Sequence, residues 1–179
     1  FSIKVRIGRA VLNAFDMNCV GHINHGLWPH PRDESHRFNE LSYWTDLAKT
    51  LEQGLFDGLF IADITGAYDV YQNDIELTLK ESIQLPSHDP TTLVSAMAAV
   101  TQNLGFGVTV NLSYESPYQF ARRFASLDHL PQGRIGWNIV TGYLDSAQRL
   151  IGEKGLKDHD LRYEQAEEFL QLCYKFWEG

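Results

Sequence analysis

Cysteine is nearly absent from this 179-residue chain, and its two thiols, Cys19 and Cys173, share no metal-ligand or redox spacing. Two cysteines cannot build a disulfide framework, so a reduced, cytoplasmic-type compartment is expected. No run of about 18 apolar residues occurs, so no membrane span is expected, and residues 1–6 lack the apolar core of a signal peptide. Basic clusters are missing too. Fifteen basic against 23 acidic residues leave a net charge of -8, which argues against nucleic acid and anionic membrane as partners. No Gly-x-Gly-x-x-Gly follows the first apolar run and there is no Walker-type loop, which weakens a nucleotide-binding open sheet. No Ser-His-Asp order, cysteine nucleophile motif or paired-carboxylate spacing stands out.

What the chain does contain is enough apolar material, 44% of residues, for one sizeable core, and a strand-then-helix unit that recurs. Residues 10–15 are a short apolar run ending at Asp16. Leu41, Trp44, Leu47, Ala48 and Leu51 then fall at helical spacing, with Gly54 as the stop. Residues 56–63 predict a second strand closing on the Asp63 carboxylate. Asp89-Pro90 reads as a cap followed by proline at the first helical position, and Leu93, Ala96, Met97, Val100 and Leu104 form the stripe of a helix closed by Gly105. Residues 106–112 predict a third strand, and Ser116-Pro117 repeats the capped start for a helix carrying Phe120, Phe124 and Leu127. A last helix carries Ala166, Leu170, Cys173 and Trp177. Strands alternating with helices imply parallel βαβ units, in either a doubly wound open sheet or a (β/α)8 barrel.

The most informative stretch is residues 133–147, Gly-Arg-Ile-Gly-Trp-Asn-Ile-Val-Thr-Gly-Tyr-Leu-Asp-Ser-Ala. Ile135, Trp137, Ile139 and Val140 make a β-favouring body, and Asn138, Thr141 and Tyr143 place an amide, a hydroxyl and a phenol where the strand opens into a loop. In α/β proteins ligands collect at the carboxyl ends of strands, so chemistry is expected there, although polar groups at a strand end can also serve only the backbone. The loop 18–38 carries His22, His25, His30 and His36, with Trp28 between Leu27 and Pro29. Histidine spacings of three, five and six residues match no zinc motif, so no metal is expected and the loop reads as substrate-side. The connection 64–88, with Tyr68, Tyr71, Asp69 and Asp74, is long for a βα loop and predicts a lid or substrate wall. Arg122 and Arg123 read as solvated or ion-paired surface.

Six of these segments, in this order, carry a resemblance. Residues 12–18 (Leu-Asn-Ala-Phe-Asp-Met-Asn), Ala62-Asp63, Gly105-Phe106-Gly107-Val108-Thr109, Ala121-Arg122-Arg123, Leu127-Asp128-His129-Leu130 and residues 133–147 together resemble one group. It is the nitrilotriacetate, EDTA and dibenzothiophene-sulfone monooxygenases, within the bacterial-luciferase-like flavin monooxygenases. The resemblance runs from about Leu12 to the C-terminus. It implies a TIM-type (β/α)8 barrel and reduced FMN delivered by a separate flavin reductase. Dioxygen would react at the flavin C4a carbon to give a peroxyflavin that oxygenates a small organic substrate. It also implies flavin contacts from Asp63, Thr109, Asn138, His159 and Tyr163, with His159 as the catalytic hydrogen-bond donor or proton shuttle. Trp28, Tyr68 and Tyr143 would stand on the substrate side.

Two departures from that pattern matter. Gly142 stands where members of the group often carry serine after Val-Thr. The chain also supplies only about the first four βα units, whereas a full barrel takes roughly 250 residues. In this fold the phosphate of a bound cofactor is usually held by loops after strands seven and eight, so the expectation is an N-terminal half-barrel that binds flavin weakly or not at all unless completed, by a C-terminal half or by self-association. A non-catalytic half-barrel serving as an assembly module and a deazaflavin-using relative are the alternatives.

Overall fold

The computed structural model describes residues 10–21 and 26–179; His22, His25 and residues 1–6 lie outside them. Four strands, β1 (Asn13–Met17), β2 (Gly58–Ala62), β3 (Gly105–Asn111) and β4 (Ile135–Val140), form one sheet in the order β1-β2-β3-β4. Every neighbouring pair is parallel. The connections carry α1 (Leu41–Gln53), α2 (Glu76–Lys80), α3 (Thr91–Ala99) and α4 (Pro117–His129), and α5 (Asp145–Leu150) and α6 (His159–Glu178) follow β4. Each strand lies beside the one before it, with no reversal of order. That is single winding, in contrast to the switch point of a doubly wound sheet.

Alternation along the strands sorts their side chains. Leu59 and Ile61, Phe106, Val108 and Val110, and Ile135 are buried in one cluster with Trp44 and Ala48 of α1, Val94 and Met97 of α3, Phe120 and Phe124 of α4, and Phe169 and Cys173 of α6. The helices therefore cover a single face. The opposite face carries Phe15, Phe60, Gly107, Thr109, Gly136 and Asn138 by the same alternation. Phe15 and Phe60 meet there with ring centroids 5.1 Å apart, and Phe15 remains 50% exposed. A Cβ on Gly107 would lie 3.3 Å from the Phe60 ring, so glycine at this position lets the ring lie over β3.

The expected elements form, with shifted ends. β1 begins three residues later than the apolar run, because β2 starts at Gly58 and its register partner is Asn13; residues 10–12 face no strand. It also continues through Asp16, whose carboxylate accepts from the Met17 N–H (2.8 Å) and from the Tyr43 hydroxyl (3.4 Å). Asp89 does cap α3, its Oδ1 accepting from the Thr91 N–H at 2.8 Å and the Thr91 hydroxyl at 2.7 Å. Ser116 Oγ accepts from the Gln119 N–H at the start of α4 (3.4 Å). The helix over residues 91–104 stops at Ala99, so Val100 and Leu104 leave it.

The early stop of α3 has an identifiable cause. Glu52 takes hydrogen bonds from the backbone N–H groups of Gln102 (2.8 Å), Asn103 and Leu104 (3.1 Å). Arg134 donates to the carbonyls of Pro131 (2.9 Å), Leu104 (3.0 Å), Ala98 (3.0 Å) and Thr101 (3.2 Å), and to the Thr101 hydroxyl (3.0 Å). These bonds offset the helical ones lost at the end of α3. Arg134→Ala strips four carbonyls of a charged donor, so we expect it to lower unfolding free energy by about 2–4 kcal/mol. Urea denaturation checks this; a loss below about 0.5 kcal/mol would show the brace to be ornamental.

Candidate active site

The carboxyl ends of β2, β3 and β4 open on the same edge of the sheet, and two adjoining cavities lie there. The smaller, of about 80 Å³, is lined by Asp63, Ile64 and Thr65 after β2, Asn111 and Tyr114 at the end of β3, and Val140, Gly142, Tyr143 and Leu144. The larger, a groove of about 500 Å³, runs from the end of β4 along the start of α6, between Val140, Thr141, Gly142 and Tyr143 on one side and His159, Arg162 and Tyr163 on the other. Val140, Gly142 and Tyr143 belong to both walls.

Asp63 follows directly after β2, and burial, then the nearby Asp89 carboxylate, push its carboxyl up to about 6; the Ile64 N–H works against this. Such a group holds or releases a proton near neutrality, which suits a site that moves protons. Tyr114, on the same wall, is also raised, by burial and then by the Asp63 charge. Thr109 and Asn138 are register partners, and the Asn138 amide donates to the Thr109 hydroxyl at 3.0 Å. They line neither cavity and sit two residues further down their strands on the uncovered face.

His159 and Tyr163, four residues apart, do share a face of α6, with ring centroids 4.8 Å apart. The His159 side chain is 70% exposed and its Nδ1 lies 2.8 Å from Asp160 Oδ1. Tyr68 and Tyr143 meet through their hydroxyls at 3.1 Å. Trp28 is not with them: its indole N–H donates to the Glu81 carbonyl (3.3 Å) beyond α2 and its ring packs on the helix-side core. His30 Nδ1 accepts from the Arg32 N–H (3.2 Å), and no group of three His, Cys, Asp or Glu among the described residues could hold a metal. Arg123 is half-buried, pairs with Glu115 and also keeps a buried Nε with no hydrogen-bond partner among the described residues.

One residue of the site escaped the sequence reading. Arg162 is only 8% exposed, donates through Nη1 to the Gly142 carbonyl, and keeps a buried Nε with no hydrogen-bond partner among the described residues. The sequence offers no signal beyond its place in His-Asp-Leu-Arg-Tyr, where an arginine in the first turns of a charged helix reads as surface. Gly142 itself has φ +76°, and a Cβ there would stand 2.5 Å from Asn111 Nδ2 and 3.0 Å from the Tyr114 hydroxyl. Glycine is therefore the residue this crowded turn accepts.

A parallel α/β sheet with its polar groups gathered at the strand carboxyl ends defines the class of enzyme scaffolds that bind ligands there. Within that class the chain belongs to the luciferase-like monooxygenase family, whose model matches residues 18–179. It is 54% identical over 168 residues to the long-chain alkane monooxygenase of Geobacillus thermodenitrificans, covering 94% of this chain and 38% of that protein. A crystal structure of a long-chain alkane monooxygenase superposes with TM-score 0.92 at 53% identity, over 96% of this chain and 39% of that one. Nitrilotriacetate monooxygenase component A of Aminobacter aminovorans is 33% identical over 89% of this chain and 36% of its own length, in agreement with the group singled out from the sequence. A riboflavin lyase solved with modified FMN and riboflavin matches at TM-score 0.87 and 36% identity, covering 94% of this chain and 38% of that one. The chain thus spans a little over a third of the length of these relatives. Among the described residues no helix is long and apolar enough to cross a membrane.

Proposed function

We propose that this chain forms the flavin-side half of a two-component monooxygenase. In this reading it supplies about the first four βα units of a TIM-type barrel and takes reduced FMN from a separate flavin reductase. The observation that carries the reading is Arg162: a buried guanidinium with one N–H unpartnered, in a groove also lined by His159 and Tyr163 and adjoining Asp63. A buried guanidinium N–H without a partner is costly, and an anionic ligand group such as the FMN phosphate would satisfy it.

Reduced flavin, when bound, supplies the reaction with dioxygen. The protein's part is placement and proton control. Arg162, Tyr163 and His159 would hold the anionic end in the groove. The Asn138 amide, steered by Thr109, keeps its oxygen as an acceptor for a ring N–H. Asp63, able to carry a proton near pH 6, would donate to or accept from groups in the smaller cavity. Tyr68 and Tyr143 would face a small organic substrate, and His159, exposed at the groove mouth, would pass protons to solvent.

A titration of the whole protein with reduced FMN and with reduced riboflavin under anaerobic conditions tests this reading. We expect the phosphate to improve affinity by about 30- to 100-fold, and Arg162→Met to erase most of that preference. Equal affinity for the two flavins in the native protein would sink the assignment. A second reading, a non-catalytic half-barrel that self-associates, is favoured by the uncovered sheet face carrying Phe15 and by Ile139, 45% exposed on β4. It predicts a stable oligomer with no flavin-dependent dioxygen uptake.

A further inference from the structure

The segment after β2 is tied to the segment after β4, and since β3 lies between those strands the tie crosses the carboxyl end of β3. Four contacts make it. Gly66, at φ +111°, packs so closely that a Cβ would lie 2.9 Å from atoms of Ser146 and Ala147. Ser146 Oγ donates to the Ala67 carbonyl at 2.7 Å. The Tyr68 and Tyr143 hydroxyls meet at 3.1 Å, and Arg149 reaches Asp69 at 3.8 Å. Thr78 Oγ1 anchors the strap from behind, donating to the Tyr68 carbonyl at 2.6 Å.

With the strap fastened, the cavity beside Asp63 measures about 80 Å³, well short of the roughly 300–1,000 Å³ of small-molecule sites. The neighbouring groove has about 500 Å³, and Tyr143, 60% exposed, lines both. We infer that the Tyr68–Tyr143 hydroxyl pair is a latch and Tyr143 a specificity-determining wall: together they set the size of organic substrate admitted beside Asp63. This rests on the function proposed above. A neutral hydroxyl pair is weak enough to open thermally, and the Asp69–Arg149 contact, long and solvated, adds little. Opening the latch joins the two spaces into one of ligand size.

The protein carries its own reporter. Cys19 is buried, and burial, then the charges of Asp16 and Asp63, push its thiol up to about 12, so it stays protonated and close to the Asp63 side of the site. Cys173, buried under α4, is the internal control: its thiol points at the Pro117 carbonyl (3.8 Å). In the whole protein, alkylation is followed by mass spectrometry with iodoacetamide and with a bulky N-aryl maleimide. Tyr68→Phe and Tyr143→Phe should speed iodoacetamide labelling of Cys19 about three- to tenfold, with Cys173 unchanged. Tyr143→Ala should in addition admit the maleimide, while Tyr118→Phe, at an exposed position of α4, changes neither. Labelling of Cys19 that is unaltered in all three latch variants, or that rises in step with Cys173, overturns the proposal. The readout needs no flavin, so failure of the flavin titration and failure of the latch are told apart.

Discussion

Asp63→Asn should yield a protein that is more stable than the native one at pH 7.5 and poorer at its chemistry. The Asp63 carboxyl is held near 6, above its unfolded value of 3.8, by burial first and by Asp89 second. The folded state therefore binds the proton more tightly, and stability falls as pH rises between about 3.8 and about 6. Two units correspond to roughly 3 kcal/mol, or about 2 kcal/mol allowing for partial solvation. Asparagine removes that penalty, so the gain should be fully present at pH 7.5 and vanish near pH 4. Chemical denaturation of both proteins at the two pH values measures it. A variant less stable than native at pH 7.5 would falsify the assignment of Asp63 as a frustrated carboxylate. On the function proposed above, turnover should fall at least tenfold, because the amide cannot exchange a proton near neutrality.

The second large effect is expected at Gly142. An alanine or serine there must adopt φ +76°, which costs about 1–2 kcal/mol by itself, and must displace an Asn111 side chain that already accepts from the Ser113 N–H at 2.9 Å. We expect a total loss of about 2–4 kcal/mol and a fall in flavin affinity of about tenfold or more, since this residue lines both cavities and its carbonyl holds Arg162. Gly133→Ala is the matching control, with φ +78° and nothing within 4 Å of the added methyl. It bears the backbone strain alone. Equal destabilisation of the two variants would show that crowding at Gly142 contributes nothing. The result bears on the serine expected here from the resemblance: in this backbone, restoring the hydroxyl costs structure.

What the sequence revealed and what it hid follow from the range of the interactions involved. Strand bodies were legible because short runs of apolar, β-favouring residues such as 59–62 and 135–140 are a local signal, and the starts of α3 and α4 because Asp89 and Ser116 act within two or three residues of themselves. Asp63 was legible as the carboxylate closing a predicted strand, whereas His159 and Tyr163 came to the site only through the family resemblance, their spacing of four adding that they share a helix face. Arg162 was not legible, because its burial depends on a turn 20 residues away in sequence. The latch spans 75 residues and the Glu52 brace about 50, so neither leaves a local trace. Trp28 reads as a loop aromatic beside histidines, yet its indole finds Glu81, 53 residues on. The short α2 and α5 were also missed, since five or six residues give too little periodicity to count.

The brace of Glu52 and Arg134 addresses the main chain of residues 98–104 almost exclusively, through three amides and three carbonyls, with the Thr101 hydroxyl as the one side-chain partner in that segment. Only the exposed positions of that segment are therefore indifferent to side chain, since Ala98 and Leu104 are buried in the core and Thr101 is buried beside it. Gln102 and Asn103, both exposed, are free to change side chain over evolutionary time but not to receive an insertion, which would pull their amides off Glu52, and the two distant charges that read the backbone are fixed as well.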